Sequence, residues 1–430
     1  MGMTATEKII ARACGLASVK PGDVVHPNPD LVFLHDGQVE NSKKMLDELG
    51  IDRVRNADKV VFVTDHEVIY TTPRAAQRGV NIRSAAKTWK IRNFFDVGQG
   101  GHGHVFPIET GMVMPGMFIF ANDMHVTNFG SVGAFGLRAG SEVTSVLAMG
   151  TLWTLVPKSV RLTLNGKLRP GVYGRDVGFR VSKHLAGGTK GDWATDITYR
   201  VLELAGPGLD EFALDQRVAL CNTPTEINAI NVFVPPSKAV LERIAAASGK
   251  KVGDLAPVYS DADAQFEADL SFDLSALEPQ VALPGAPENA VDVSTVVGKA
   301  VNHAYIGSCG SSMYEDMVLA ARVLRGRKVA AGTRLFVVPG SVQTAKRLAD
   351  EGLMSVFQEA GAIMLQSGCG PCAGGVLGLM HSGEVSISTA ATNGAGRMGA
   401  KDSECYLGSP ATVAVSAVAG KISDPRSLAY

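Results

Sequence analysis

No part of the 430-residue chain approaches the roughly 18 consecutive apolar residues of a membrane-spanning helix, so a helical membrane protein is not expected. Neither sign of charge dominates. The 41 lysines and arginines face 42 aspartates and glutamates, a net charge of −1, so nothing electrostatic favours nucleic acid or an anionic membrane as the main partner. Cysteine is scarce: Cys14, Cys221, Cys309, Cys369, Cys372 and Cys405 are too few for a disulfide scaffold. The N-terminus, MGMTATEKIIARACGLASVKPGD, lacks the apolar core and cleavage pattern of a signal peptide. A cytoplasmic protein whose thiols are available for metal or catalysis is therefore expected. Apolar residues are not lacking: at 46% of the chain they suffice for real cores and exclude a mostly disordered polymer. Glycine is also plentiful, at 48 residues without periodicity, which implies many tight turns and close backbone approaches to a ligand.

The first 250 residues alternate short apolar runs with helical stretches. LVFLH (31–35), KVVFVTDH (59–66) and MFIFANDMH (117–125) read as buried strands, and 85–95 and 141–156 read as helices. Strand-then-helix alternation predicts α/β domains with parallel sheets, whose ligands gather at the carboxyl ends of the strands. These three runs end in His-Asp, Asp-His and Asp-Met-His. Two α/β domains are expected within 1–255. Residues 256–292 follow as an acidic, proline-containing connector, expected to be extended and solvated, in a stretch from Lys251 to Lys299 without a single internal Lys or Arg. A further α/β domain is expected over 293–430, with strands in AYIGSC, RLFVVPGS and AIMLQSGCG and helices over 313–325 and 342–360.

Cys309 lies in Ile-Gly-Ser-Cys-Gly-Ser-Ser, and Cys369 and Cys372 lie in Ser-Gly-Cys-Gly-Pro-Cys-Ala-Gly-Gly. Each follows a strand-like run, among small residues that leave room for an inorganic group. On spacing alone the C-x-x-C pair fits a redox dithiol, half of a zinc site or part of an iron–sulfur site. Three thiolates would suit a cluster with one metal corner left open.

Several collinear segments narrow this. IGSCGSSMYEDMVLAARVLRGRKVAAGTRLFVVPGS, EAGAIMLQSGCGPC, VFVTDH (61–66), GQGGHGHVFPIETG (98–111), MPGMFIFANDMH (114–125), ALCNTPTEINA (219–229), LEPQVALPGAPEN (277–289) and GRMG (396–399) together resemble the aconitase superfamily. The similarity is greatest to the large subunits of 3-isopropylmalate dehydratase and homoaconitase-type hydro-lyases. The resemblance implies three α/β domains around a central iron–sulfur site, with Cys309, Cys369 and Cys372 holding a [4Fe–4S] cluster. It implies a hydro-lyase that dehydrates, hydrates or isomerises a small hydroxy acid, with the open iron as Lewis acid. Asp65, His66, His104 (with His102 as a nearby alternative), Asp123, His125 and Glu226 fall at catalytic positions, and His35, Asn222 and Arg397 at substrate-facing ones. A carboxylate beside a histidine fixes its tautomer and raises its basicity, and an arginine fork suits a substrate carboxylate.

The chain departs from the family where polar substrate contacts are expected. Asp-Ser-His becomes Asp123-Met124-His125, an Asn and an Arg become Ala391 and Thr392, and Cys-Thr-Asn becomes Cys309-Gly310-Ser311. These changes predict a substrate other than isopropylmalate, with fewer carboxylates or a more apolar group. The family's swivel domain does not follow the GRMG region, so a separate small swivel-domain subunit is the expected partner. Two alternatives are an iron-sensing RNA-binding relative and a cluster protein with altered or lost hydratase activity.

Overall fold

The computed structural model describes residues 2–186, 192–374 and 377–430. Gly375, the last glycine of the Cys369–Cys372 motif, lies outside the described residues. The chain forms two compact units: Met1–Thr163 with Ile197–Ala205 and Ala229–Ser271, and Leu164–Asp196 with Gly206–Asn228 and Phe272–Tyr430. No helix among the described residues is long and apolar enough to cross a membrane.

The main sheet of the first unit has five parallel strands in the order Asn93–Phe95, Val60–Val63, Leu31–His35, Phe118–Ala121, Phe135–Arg138. Its central strands are continuous apolar runs, as a sheet covered on both faces requires; Phe33, Leu34, Phe62 and Phe120 have no exposed surface. The chain runs outward from Leu31–His35 to one side and later returns to pair on its other side through Phe118–Ala121. The crevice between these two strands is the topological switch point at which doubly wound sheets bind ligands. A second sheet carries Asn231–Phe233, Val201–Ala205, Ser159–Asn165 and Ala268–Asp273 in that order.

The second unit is built on a seven-stranded sheet in the order Ala290–Asp292, Gln280–Ala282, Glu404–Leu407, Val385–Ser388, His303–Ile306, Arg334–Val337, Ile363–Met364. The last five strands are parallel, and the first two form an antiparallel edge. Here the strand order reverses between His303–Ile306 and Val385–Ser388.

Four expectations need local correction. The helix expected over 85–95 is Pro73–Thr88, started by the Thr72 side chain accepting from Ala75 N with Pro73 in the first turn; residues 93–95 are an edge strand. The helix over 141–156 is only Val143–Met149, because Gly150 takes the left-handed conformation that closes it. The helix over 342–360 is two, Val342–Asp350 and Leu353–Ala360, separated by left-handed Gly352. The acidic stretch is not solvated throughout: Gln280, Val281, Ala282 and Ala290 are buried. Its carboxylates find cations far away in sequence. Glu267 pairs with Arg200 and Lys158, Glu278 with Arg169 and Arg426, and Asp292 with Arg180.

Candidate active site

At the carboxyl end of Leu31–His35 the chain turns directly into helix Asp36–Glu48. Asp36 is buried, and its carboxylate accepts three backbone N–H groups from the loop after the neighbouring strand: Asp65 N at 2.9 Å, His66 N at 3.2 Å and Glu67 N at 3.0 Å. This fixes Asp65, which has no exposed surface. Asp65 in turn accepts from His35 Nδ1 at 3.0 Å, His66 Nδ1 at 2.7 Å and Gly103 N at 2.7 Å. A Cβ on residue 103 would lie 2.4 Å from His35 Cε1, so the close approach requires glycine.

His104 packs against His35 with ring centroids 4.6 Å apart, and its Nε2 lies 3.6 Å from Asp123 Oδ1. Neither ring nitrogen of His104, nor Nε2 of His35, has a hydrogen-bond partner among the described residues, although all three atoms are buried. Asp123 caps the turn that begins at Met124, accepting from His125 N at 2.9 Å, and lies 3.3 Å from His125 Nδ1. His102, ambiguous in the sequence, belongs to the same cluster. Its Nδ1 accepts from His104 N at 3.2 Å. Thus His35, Asp65, His66, His102, His104, Asp123 and His125 are brought together. Ligand atoms of His35, Asp65 and His66 lie within 4.8 Å of one another, close enough to share a metal ion. The Asp65 oxygens, however, already receive both imidazole Nδ1 atoms.

Charge is divided unevenly across this cluster. Burial lowers His35, but Asp65, helped by Asp123, more than reverses that, and its pKa stays above the ordinary value. Burial raises Asp65, yet His35 and His66 hold it well below the carboxylate range. His102 and His104, with weaker compensation, are pushed down by burial, His102 to about 4 and His104 well below its ordinary value. The cluster therefore sets imidazoles of raised and lowered basicity side by side. An unfolded His102 takes its proton near pH 6.5 and the folded one near 4. Its neutral burial thus contributes fully above 6.5 and becomes a loss as pH falls through that window, about 3 kcal/mol by pH 4. His104 adds a loss of the same sign. Asp65 and Asp123 lie below 3.8 and do not offset it there. Buried Asp176 and Glu203, both raised to about 7, gain stability over the same window. The test is therefore a difference: between pH 6.5 and 4 the thermal midpoint of wild type should fall relative to that of His102→Gln, and an unchanged difference would contradict the assignment.

In the second unit, Cys309 follows the central strand His303–Ile306, and Cys369 and Cys372 follow edge strand Ile363–Met364. All three are buried, and none forms a disulfide. Ser308 adopts left-handed backbone (φ 72°), uncommon for serine, and turns the chain so that Cys309 lies against Asn222. The Asn222 Nδ2 donates to Cys309 Sγ at 3.1 Å. Arg397 donates to Cys372 and is raised by it despite burial, with Glu226 also adding to the shift. Tyr305, whose hydroxyl donates to the Cys369 carbonyl at 2.8 Å, is pushed far up by burial and then by all three cysteines. Asn222 thus lies against Cys309, Arg397 against Cys372, and Glu226 near Arg397. Nε of Arg397 and the hydroxyls of Ser312 and Ser367 are buried with no partner among the described residues.

Sequence reasoning missed Arg175. It is 1% exposed, and Nη1 donates to Asn222 Oδ1 at 3.3 Å while Nη2 donates to the Ala390 carbonyl. Burial lowers it, opposed first by Cys309 and Cys372. The only sequence signal was a cation in the first turn of helix Gly174–Leu185, where a helix disfavours positive charge. Three thiols that form no disulfide, with two guanidinium groups beside them, among small residues, make a donor set that fits an iron–sulfur group and leaves its negative charge matched.

Doubly wound parallel sheets with a His–Asp network at one switch point and three thiols beside another have the make-up of an α/β enzyme. The chain belongs to the aconitase family: residues 22–300 and 294–420 match the family described as Aconitase family (aconitate hydratase). It is 38% identical over 427 residues to 3-isopropylmalate dehydratase large subunit 1 of Methanopyrus kandleri, covering 99% of each chain. It is also 38% identical over 431 residues to that of Archaeoglobus fulgidus, covering 100% of both. A probable methanogen homoaconitase large subunit from Methanothermobacter thermautotrophicus is 36% identical, over 99% of this chain and 98% of that one. Among solved structures, aconitase X of Thermococcus kodakaraensis shares the fold, with a TM-score of 0.51 at 12% identity over 90% of this chain and 89% of the other.

Proposed function

We propose that the chain is the cluster-bearing large subunit of a [4Fe–4S] hydro-lyase that dehydrates, hydrates or isomerises a small hydroxy acid. The observation that carries this is the set of three buried, unbridged thiols, Cys309, Cys369 and Cys372, flanked by Arg175 and Arg397. When bound, a cluster with three cysteine ligands supplies an open iron as a Lewis acid toward the substrate hydroxyl. Arg397 presents its fork to a substrate carboxylate. Glu226, close enough to raise Arg397, is the candidate acid toward the departing hydroxyl. In the first unit Asp65 fixes Nδ1–H of His35, leaving its unpartnered Nε2 to exchange a proton. His66 is held by the same carboxylate, and Asp123 orients His125. His104, buried and neutral, excludes water while keeping both nitrogens available for hydrogen bonding.

The relatives named as large subunits support a separate small swivel-domain subunit as partner. The substrate we propose has fewer carboxylates than citrate or isopropylmalate, or an apolar group in place of one. Half-buried Met124 stands between Asp123 and His125, and Ala391 is buried, so neither donates a hydrogen bond where a carboxylate would need one. The test is a competition series of mono-, di- and tricarboxylic hydroxy acids against the assembled enzyme. The less carboxylated acids should win, and Met124→Ser should shift kcat/KM toward the more carboxylated ones by about tenfold. Preference for the tricarboxylate, or full turnover by the rigorously purified chain without a second subunit, would contradict the proposal.

A further inference from the structure

Among the described residues, Arg175 is a buried cation without a carboxylate in hydrogen-bond contact. Its Nη atoms reach an amide oxygen and a carbonyl, its Cζ lies 5.0 Å from the Phe179 ring centroid, and its Nε has no partner among the described residues. The nearby carboxylates are committed elsewhere. Asp176 accepts from Tyr173 N and Gln280 N, and Asp316 accepts from Met313 N. Burial pushes both acids up, Asp176 to about 7, which weakens each as a counter-ion. A buried guanidinium left in this state is costly.

Of the negative groups that face it, Cys309 and Cys372 act most strongly, ahead of Asp316 and Asp176. The link to Cys309 is short: Arg175 Nη1 donates to Asn222 Oδ1, and Asn222 Nδ2 donates to Cys309 Sγ. This relay lies directly on the backbone next to the cysteine. A Cβ on residue 310 would come 2.0 Å from Arg175 Nη1 and 2.6 Å from Asn222 Oδ1, which accounts for Gly310, one of the positions where the chain departs from its family.

We propose that Arg175 is a positioning residue whose buried charge is fully matched only when the cysteines hold their metal as thiolates, so that through Asn222 it biases the site toward the loaded state. This rests on the [4Fe–4S] reading of the thiol site, and it makes a prediction whose sign changes with metal. In the metal-free chain, replacing the unmatched guanidinium by an apolar side chain of similar length relieves a cost. In the loaded chain the same replacement removes the counter-charge. A residue that merely fills space would lower stability in both states.

The experiment uses the full chain and Arg175→Met, with Arg175→Lys as the charge-preserving control, each prepared metal-free and after anaerobic loading with iron and sulfide. Metal-free Arg175→Met should have a higher thermal midpoint than wild type. Loaded, it should lose iron to a chelator about 10- to 100-fold more readily, and its midpoint reduction potential should move negative. Arg175→Lys should remain near wild type in retention and potential. Equal destabilisation of Arg175→Met with and without metal, or unchanged retention and potential, would overturn the proposal. If wild type itself binds no iron, the cluster reading fails, and the metal-free arm still decides Arg175: a raised midpoint supports an unmatched charge, and a lowered one refutes it. If Arg175→Met does not fold, Asn222→Ala breaks the same relay, and iron retention equal to wild type would count against it.

Discussion

Asparagine in place of Asp65 is expected to lower kcat of the assembled enzyme by about 10³- to 10⁴-fold, the scale of effect when a carboxylate that orients a catalytic imidazole becomes an amide. Asp65 accepts from two imidazole Nδ1–H groups and one backbone N–H. An amide offers one accepting oxygen, and its NH₂ would face a ring nitrogen that must then give up its proton. At least one of His35 and His66 would change tautomer, and the nitrogen that exchanges protons would change with it. The isosteric side chain preserves packing, so the loss should appear in kcat more than in KM. The check is the steady-state rate together with ¹⁵N chemical shifts of the histidine rings. Nδ1 of both histidines should be protonated in wild type, and at least one should not be in Asp65→Asn. Wild-type turnover in the variant would remove Asp65 from the mechanism.

Asp36 is expected to matter for stability on a comparable scale. Asp36→Ala leaves three N–H groups of residues 65–67 without their acceptor in a buried position, at a cost on the order of 3–5 kcal/mol. Asp36→Asn keeps the oxygen that serves Asp65 N and His66 N and loses only the bond to Glu67 N, so its cost should be about 1–2 kcal/mol. Denaturant titrations should rank the three proteins wild type, Asn, Ala. Equal stability of the Ala variant would mean that the 65–67 loop is held by something other than this carboxylate.

Much of the site is legible because it follows chain punctuation. Apolar runs ending in His35, Asp65-His66 and Asp123-Met124-His125 mark carboxyl ends of strands, and parallel pairing brings those ends together. The cysteine loops are legible for the same reason. Helix boundaries were harder, because apolar periodicity runs past the residue that ends the helix: left-handed Gly150 and Gly352 interrupt stretches that otherwise read as continuous. The acidic stretch misled because its cations come from distant positions such as Arg180 and Arg200. Arg175 left only a faint signal for a related reason. Its partners, Asn222, Cys309 and Ala390, lie 47 to 215 positions away, and only the fold assembles them.

The most direct measurement is anaerobic reconstitution of the full chain with iron and sulfide, read as iron content and visible and EPR spectra. Wild type should take up about four irons with a broad visible band, and one iron should exchange more readily than the rest, as three thiolate ligands leave one corner open. Cys309→Ala, Cys369→Ala and Cys372→Ala should each lose the cluster, while Cys221→Ala and Cys405→Ala, whose thiols burial holds far above their ordinary pKa, should retain it. A Cys309→Ala variant that binds iron as wild type does would contradict the assignment of the site.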